Sequence, residues 1–263
     1  MFLPTYAATA WYHHRLPDQP PALQPLLQQV QQFALNDYAE ALNSGSALSP
    51  DQFTAIARKL HDYTGLSTAY IEKADLRVTD REFFHQLLVD QDETVGRLDS
   101  RFSGPSLDPM SEGAHYDPQS AAISSAYEAA FNGYVHNTLK FGRDRIYRLE
   151  GNVYPWSMRH VDLVTQRPQG SQGGFISVAV DLTQAMKRDP DLEVLAQNGY
   201  YDLATPYFGT VYIMNHLDIP PQLRSHIHME FYPSGHMIYV HVPALKKLHD
   251  TTAAFIEATA NGG

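Results

Sequence analysis

The chain has 263 residues, enough for one large domain or two small ones with a sizeable core. Nineteen Lys and Arg stand against 29 Asp and Glu, a formal charge of −10 at pH 7, so nucleic acid and anionic membrane surfaces are poor partners. There is no cysteine, which excludes disulfides, thiolate catalysis and cysteine-ligated zinc or iron–sulfur centres. Residues 1–17, MFLPTYAATAWYHHRLP, lack a basic start followed by a continuous apolar run and do not read as a secretory signal. No uninterrupted apolar stretch has membrane-spanning length. Phe2, Leu3, Tyr6 and Trp11 crowd a region that is ordinarily polar and frayed, so the stretch reads like the interior of a longer sequence.

The first half reads as helical. Leu23, Leu27, Val30, Ala34, Tyr38 and Ala41 share one helix face, which Asn43-Ser44-Gly45 stops. Ser49-Pro50-Asp51-Gln52 predicts an N-cap, a first-turn proline and a capping-box glutamine, with Phe53, Ile56 and Leu60 following at helical spacing and Gly65 ending the helix. Thr79-Asp80-Arg81-Glu82 is a second capping box, leading into Phe83, Phe84, Leu87 and Leu88. Residues 99–119, rich in Ser, Gly, Asp and Pro, read as a long loop. Helix resumes near Ser120 on a face of Ile123, Tyr127, Ala130, Tyr134 and Phe141, and stops at Gly142. Residues 143–176 read as irregular, and another helix spans about Ser177 to Lys187.

The last third changes character. Leu192–Ala196 is a short apolar run suited to a buried strand, and Thr205-Pro206 caps a helix through Leu217. From His226 to Tyr232 the residues alternate, with Ile227, Met229 and Phe231 on one face and His226, His228 and Glu230 on the other. The turn Pro233-Ser234-Gly235-His236 follows, then a final helix from near Pro243 with Leu245, Leu248, Ala253 and Ile256. The order is strand, loop with Asp202, helix, strand, loop with His236, helix. In open α/β sheets, functional residues sit in loops beyond the carboxyl ends of strands. Asp202 and His236 occupy those places, in the order of the last two members of a hydrolase triad. Taken singly, a turn aspartate and a loop histidine are commonplace; the shared context is what singles them out.

On these residues the sequence resembles the serine carboxypeptidase family of α/β-hydrolases. NGYYDLATPYFGT is similar to that family's aspartate segment, with Asp202, Gly209 and Thr210 at the matching places. PSGHMIYVHVP is similar to its histidine segment, with Gly235, His236, Met237 and Pro243. LPTYAATAWYHHRLP and TVGRLDSRF resemble a bacterial branch, where they belong to a helical lid inserted between sheet strands. Ile238-Tyr239 departs from the Val-Pro common in the family. The resemblance implies a partial α/β-hydrolase fold: a helical lid over residues 1–175, then the last two sheet strands and their helices over 176–263. It implies His236 as general base and acid, Asp202 as its orienting partner, Tyr200, Tyr201 and Met237 near a peptide or ester substrate, and no cofactor. The family's nucleophile sits in Gly-x-Ser-x-Gly, which this sequence lacks; Gly170-Ser171-Gln172-Gly173-Gly174 is the nearest lookalike. The expectation is a fragment that is inactive alone. Two isolated strands are marginal in water, so it should seek the missing N-terminal portion or a second copy of itself. No cellular location is implied.

Two readings from other classes stand beside this one. His226-x-His228-x-Glu230 puts two imidazoles and a carboxylate on one strand face, a set acceptable to zinc or iron, although a solvated edge-strand face has the same pattern. His13-His14 point to different sides and are a weaker pair. A non-catalytic lid is the other reading, its ligand pocket lined by Trp11, Trp156, Tyr200, Tyr201 and Tyr207, residues that equally suit a core.

Overall fold

Both capping boxes form, and they frame the first half of the chain. The computed structural model describes residues 1–145, 160–162, 164–169 and 176–260. Its first helices are α1 (Leu3–Tyr12), α2 (Leu23–Leu35), α3 (Asp37–Ser44), α4 (Pro50–Thr64), α5 (Thr68–Lys73) and α6 (Asp80–Gln86). At α4, Ser49 Oγ accepts from Gln52 N and Gln52 Oε1 accepts from Ser49 N. At α6, Glu82 Oε2 accepts from Thr79 N at 2.7 Å while Thr79 Oγ1 caps Glu82 N. Each pair satisfies donors that the first turn leaves open. Gly65 ends α4 at φ 70°, where a β-carbon would also collide with the Arg15 carbonyl.

The single helix expected over 23–41 is two helices. Asn36 breaks it at φ −108°, ψ −97°. Its side-chain amide donates back to Gln32 O at 2.8 Å, a local bond that competes with the helical ladder. The apolar faces still converge. Leu26, Val30 and Phe33 of α2 meet Leu3, Tyr6, Ala7 and Ala10 of α1, Leu60 of α4 and Phe83 of α6 in one buried cluster. Tyr6 stacks on Phe83 with ring centroids 4.0 Å apart.

Inside the stretch expected to be a long loop lies a short strand. β1 (Glu93–Val95) pairs antiparallel with β2 (Ser103–Pro105), Thr94 opposite Gly104. Three-residue strands carry too little periodicity to be read from sequence. Further on come α7 (Pro118–Gly133), the two-residue strands β3 (His160–Val161) and β4 (Pro168–Gln169), α8 (Ala179–Arg188), β5 (Val194–Gly199), α9 (Tyr207–Asn215), β6 (Ile227–Tyr232) and α10 (Val242–Ala260). The fold is mixed: mainly helix, with three two-stranded sheets among the described residues, the last made by β5 and β6. No helix among them is long and apolar enough to cross a membrane.

The chain forms two compact units. The first holds Met1–Gln119, Leu195–Tyr212 and Met229–Gly263. In it, successive β6 residues face opposite ways, as the pleat requires. Phe231 joins an aromatic cluster with Tyr200, Tyr207 and Phe208. Glu230 and Tyr232 meet α10, through the Lys247 ion pair at 3.2 Å and through Ala244 and Leu248. The second unit holds Ser120–Val194 and Ile213–His228, with Met186, Leu217, Ile219 and Leu223 as its buried centre.

Candidate active site

The site belongs to the first unit and begins where β5 ends. A β-carbon on Gly199 would collide with the carbonyl oxygens of Ser234 and Gly235. Glycine is therefore required for the two loops to come this close. Beyond it, Tyr200 N donates to Tyr232 O and Tyr201 N to Ser234 O, both at 3.0 Å. These bonds climb both chains together, so the segments run in the same direction. A parallel pair needs a crossover, and α9 supplies it.

Asp202 is next, buried to 5% exposure. Its Oδ1 accepts from Ala204 N and Thr205 N, each at 2.8 Å, a turn made by the side chain itself ahead of α9. Its Oδ2 accepts from Thr205 Oγ1 at 2.7 Å and lies 2.9 Å from His236 Nδ1. Four donors thus fix one rotamer of the carboxylate. Thr205 Oγ1 is also 3.2 Å from His236 Nδ1. An ionised carboxylate only accepts, so in this contact Nδ1 is the donor and Nε2 is the ring nitrogen turned away from Asp202. The His236 side chain is 44% exposed, against 7% for that of Asp202. The pair has a sealed end and an open end.

A second layer of residues holds both loops. Asp117 Oδ2 accepts from Arg97 N and Leu98 N at 2.8 Å, tying the turn after β1. Arg97 O accepts from Leu203 N, Ser100 N donates to Tyr201 O, and Leu98 O accepts from His236 N at 2.6 Å. Asp99, fully buried, takes Gly235 N at 3.1 Å and a two-pronged bond from Arg101 at 2.9 and 2.6 Å. Arg101 Nη1 reaches Pro233 O at 2.7 Å, and its guanidinium lies 5.4 Å from the Tyr201 ring centroid. Burial works against the Arg101 charge, but the hydrogen bond and charge of Asp99 raise its pKa. Burial pushes the Tyr201 hydroxyl up to about 12.

Sequence reasoning singled out Asp202 and His236, and the structure brings them to hydrogen-bond distance. It missed Asp99 and Arg101, because charged residues within a polar stretch ordinarily face water, and it read Thr205 only as a helix cap. The other candidates have clear positions. Tyr201 is buried, edge-on to Tyr12 at 5.5 Å. Tyr200 stacks on Phe231, and its hydroxyl accepts from Gln24 at 3.1 Å. Tyr207 is buried in the same aromatic cluster, and Trp11 packs on its edge while donating to Pro20 O. Met237, half-buried, follows His236 into a short turn of helix. Trp156 and Gly170–Gly174 lie outside the described residues.

The proposed metal-binding face divides its partners. His228 Nε2 is 2.8 Å from Glu193 Oε2 and His226 Nδ1 is 3.6 Å from Glu193 Oε1, while Glu230 turns to Lys247. No group of three or more His, Asp and Glu suited to a metal occurs among the described residues. Comparison with family models, curated proteins and solved structures returned no match to this chain.

Proposed function

We propose that the chain carries the acid–base half of a serine-carboxypeptidase-like hydrolase, with an α/β-hydrolase sheet completed from outside residues 1–263. The observation that carries this reading is the 2.9 Å contact between the buried Asp202 carboxylate and His236 Nδ1, with the imidazole open on its other side. In that mechanism His236 Nε2 takes the proton from a serine hydroxyl as its oxygen bonds to the substrate carbonyl carbon. The imidazolium then gives the proton to the departing amine or alcohol, and water hydrolyses the acyl-serine with the same base. Asp202 holds the tautomer and offsets the imidazolium charge. The substrate is a peptide with a free C-terminus or an ester, with Tyr200 and Met237 beside it and Tyr201 buried behind them.

The sequence contains no Gly-x-Ser-x-Gly elbow, so the serine comes from another segment, and the chain hydrolyses nothing unaided. Among the described residues the β5–β6 sheet has no third strand, which leaves an edge for that segment or for a second copy to pair with. The test is fluorophosphonate labelling read by intact mass. The chain alone should gain no adduct. Co-refolded with a polypeptide carrying the serine elbow of a bacterial serine-carboxypeptidase-like hydrolase, it should promote an adduct on that serine. Asp202→Asn or His236→Ala should slow labelling by about 10⁴-fold or more. An adduct on one of the chain's own serines, or labelling of the mixture that ignores His236→Ala, overturns the reading.

A further inference from the structure

We propose that the ion pair of buried Asp99 with half-buried Arg101 is a positioning device for His236, keeping its imidazole within reach of Asp202 without touching the ring. The inference rests on the Asp202–His236 reading above and adds the element that sets the spacing of the two loops.

The five residues 97–101 are bonded to both loops. On the aspartate side, Arg97 O accepts from Leu203 N and Ser100 N donates to Tyr201 O, each at 3.0 Å, so both neighbours of Asp202 are fixed. On the histidine side there are three attachments: Leu98 O to His236 N at 2.6 Å, Asp99 Oδ2 to Gly235 N at 3.1 Å, and Arg101 Nη1 to Pro233 O at 2.7 Å. One short segment therefore bridges residues 201–203 and 233–236, in addition to the direct bond from Tyr201 N to Ser234 O. The segment is itself anchored on α1 and its C-cap, where Thr9 Oγ1 and Ser100 Oγ are 2.6 Å apart and His13 Nε2 is 2.6 Å from Ser100 O.

The ion pair gives this segment its stiffness. Asp99 has no exposed surface, and Arg101 meets both of its carboxylate oxygens with a planar fork. Arg101 N also donates to Asp99 Oδ1 at 3.1 Å, which locks the turn between them. The histidine loop has no slack against it, since a β-carbon on Gly235 would collide with Leu98 O and with Asp99. A displaced Asp99 cannot be followed by the loop without loss of the Gly235 bond, and His236 is the next residue. The 2.9 Å contact is short enough for such a displacement to break it.

The experiment reads the His236 Nδ1 proton by NMR in the intact ¹⁵N-labelled chain, assigned by its loss in His236→Gln. In the parent protein it should exchange slowly with water, and Asp202→Asn should abolish it. Arg101→Lys keeps a positive charge beside Asp99 but lacks the fork that spans both oxygens and Pro233 O. It should raise the exchange rate at least tenfold while the amide spectrum of α1, α2, α4 and α6 stays unchanged. The neutral pair Asp99→Asn/Arg101→Gln, close in shape, is the second variant and should do the same. Unchanged exchange in either folded variant overturns the positioning role and leaves the Asp202–His236 pair standing. A parent chain without the protected proton, or a proton indifferent to Asp202→Asn, overturns the pair itself and the inference with it. Loss of fold in both variants assigns the ion pair to general stability and also overturns the proposal.

Discussion

α2 and α7 carry the same kind of sequence signal and meet opposite fates. In α2, the apolar positions Leu26, Leu27, Val30 and Phe33 are all buried against neighbouring elements of the first unit. In α7, in the second unit, Tyr127 and Phe131 are 49% and 43% exposed, and Tyr134 in the turn that follows is 54% exposed. Helical periodicity states which face is apolar; it does not state how deeply that face is buried. An amphipathic helix gains most of its stability from the surface it covers, so the deeper burial of its apolar face makes α2 the more strongly held of the two.

The comparison can be sharpened by mutation. Phe83→Ala empties a fully buried site in the α1–α2–α4–α6 core, and about 3–5 kcal/mol of stability should be lost in denaturant unfolding of the first unit. Tyr127→Ala on α7 removes a half-exposed aromatic and should change stability by no more than about 0.5 kcal/mol. A comparable loss at both positions would show that α7 is covered in solution. Thr79→Ala should cost an intermediate ~1 kcal/mol, because it unseats a cap whose reciprocal partner is Glu82.

A smaller effect is expected from pH. Burial lowers the pKa of His13, with its bond to Ser100 O opposing part of the shift. The folded chain then binds this proton less readily than the unfolded chain. The contribution is present above the unfolded value of about 6.5 and is lost as pH falls through it toward the lower folded value. The midpoint of thermal unfolding should therefore drop between about pH 8 and pH 5.5, and the drop should be smaller in His13→Gln. An equal drop in the two proteins would remove His13 from the account.

What the sequence made legible was local chemistry with a fixed register. The boxes at Ser49 and Thr79, the stop at Gly65 and the strands before Asp202 and His236 each follow from a few adjacent residues. What escaped it depended on distant contacts or on single side chains. The break at Asn36 turns on one amide bonding backward. β2 exists because β1 lies beside it. The partners of Asp99 and Arg101, Gly235 and Pro233, lie more than 130 positions along the chain. The reading of TVGRLDSRF as lid gave no reason to look for such a contact.

The attachment of residues 97–101 to both loops also sets where the chain tolerates a change of length. Adding one residue there would put five inter-loop hydrogen bonds out of step at once, three of them on the histidine loop. A few positions later the constraint disappears: Met110 is 91% exposed, and its neighbours bond mainly within their own turn. Insertions near 110 should be absorbed at small entropic cost. Homologous chains of different length should therefore differ near 110 and keep the count from Gly96 to Arg101 fixed.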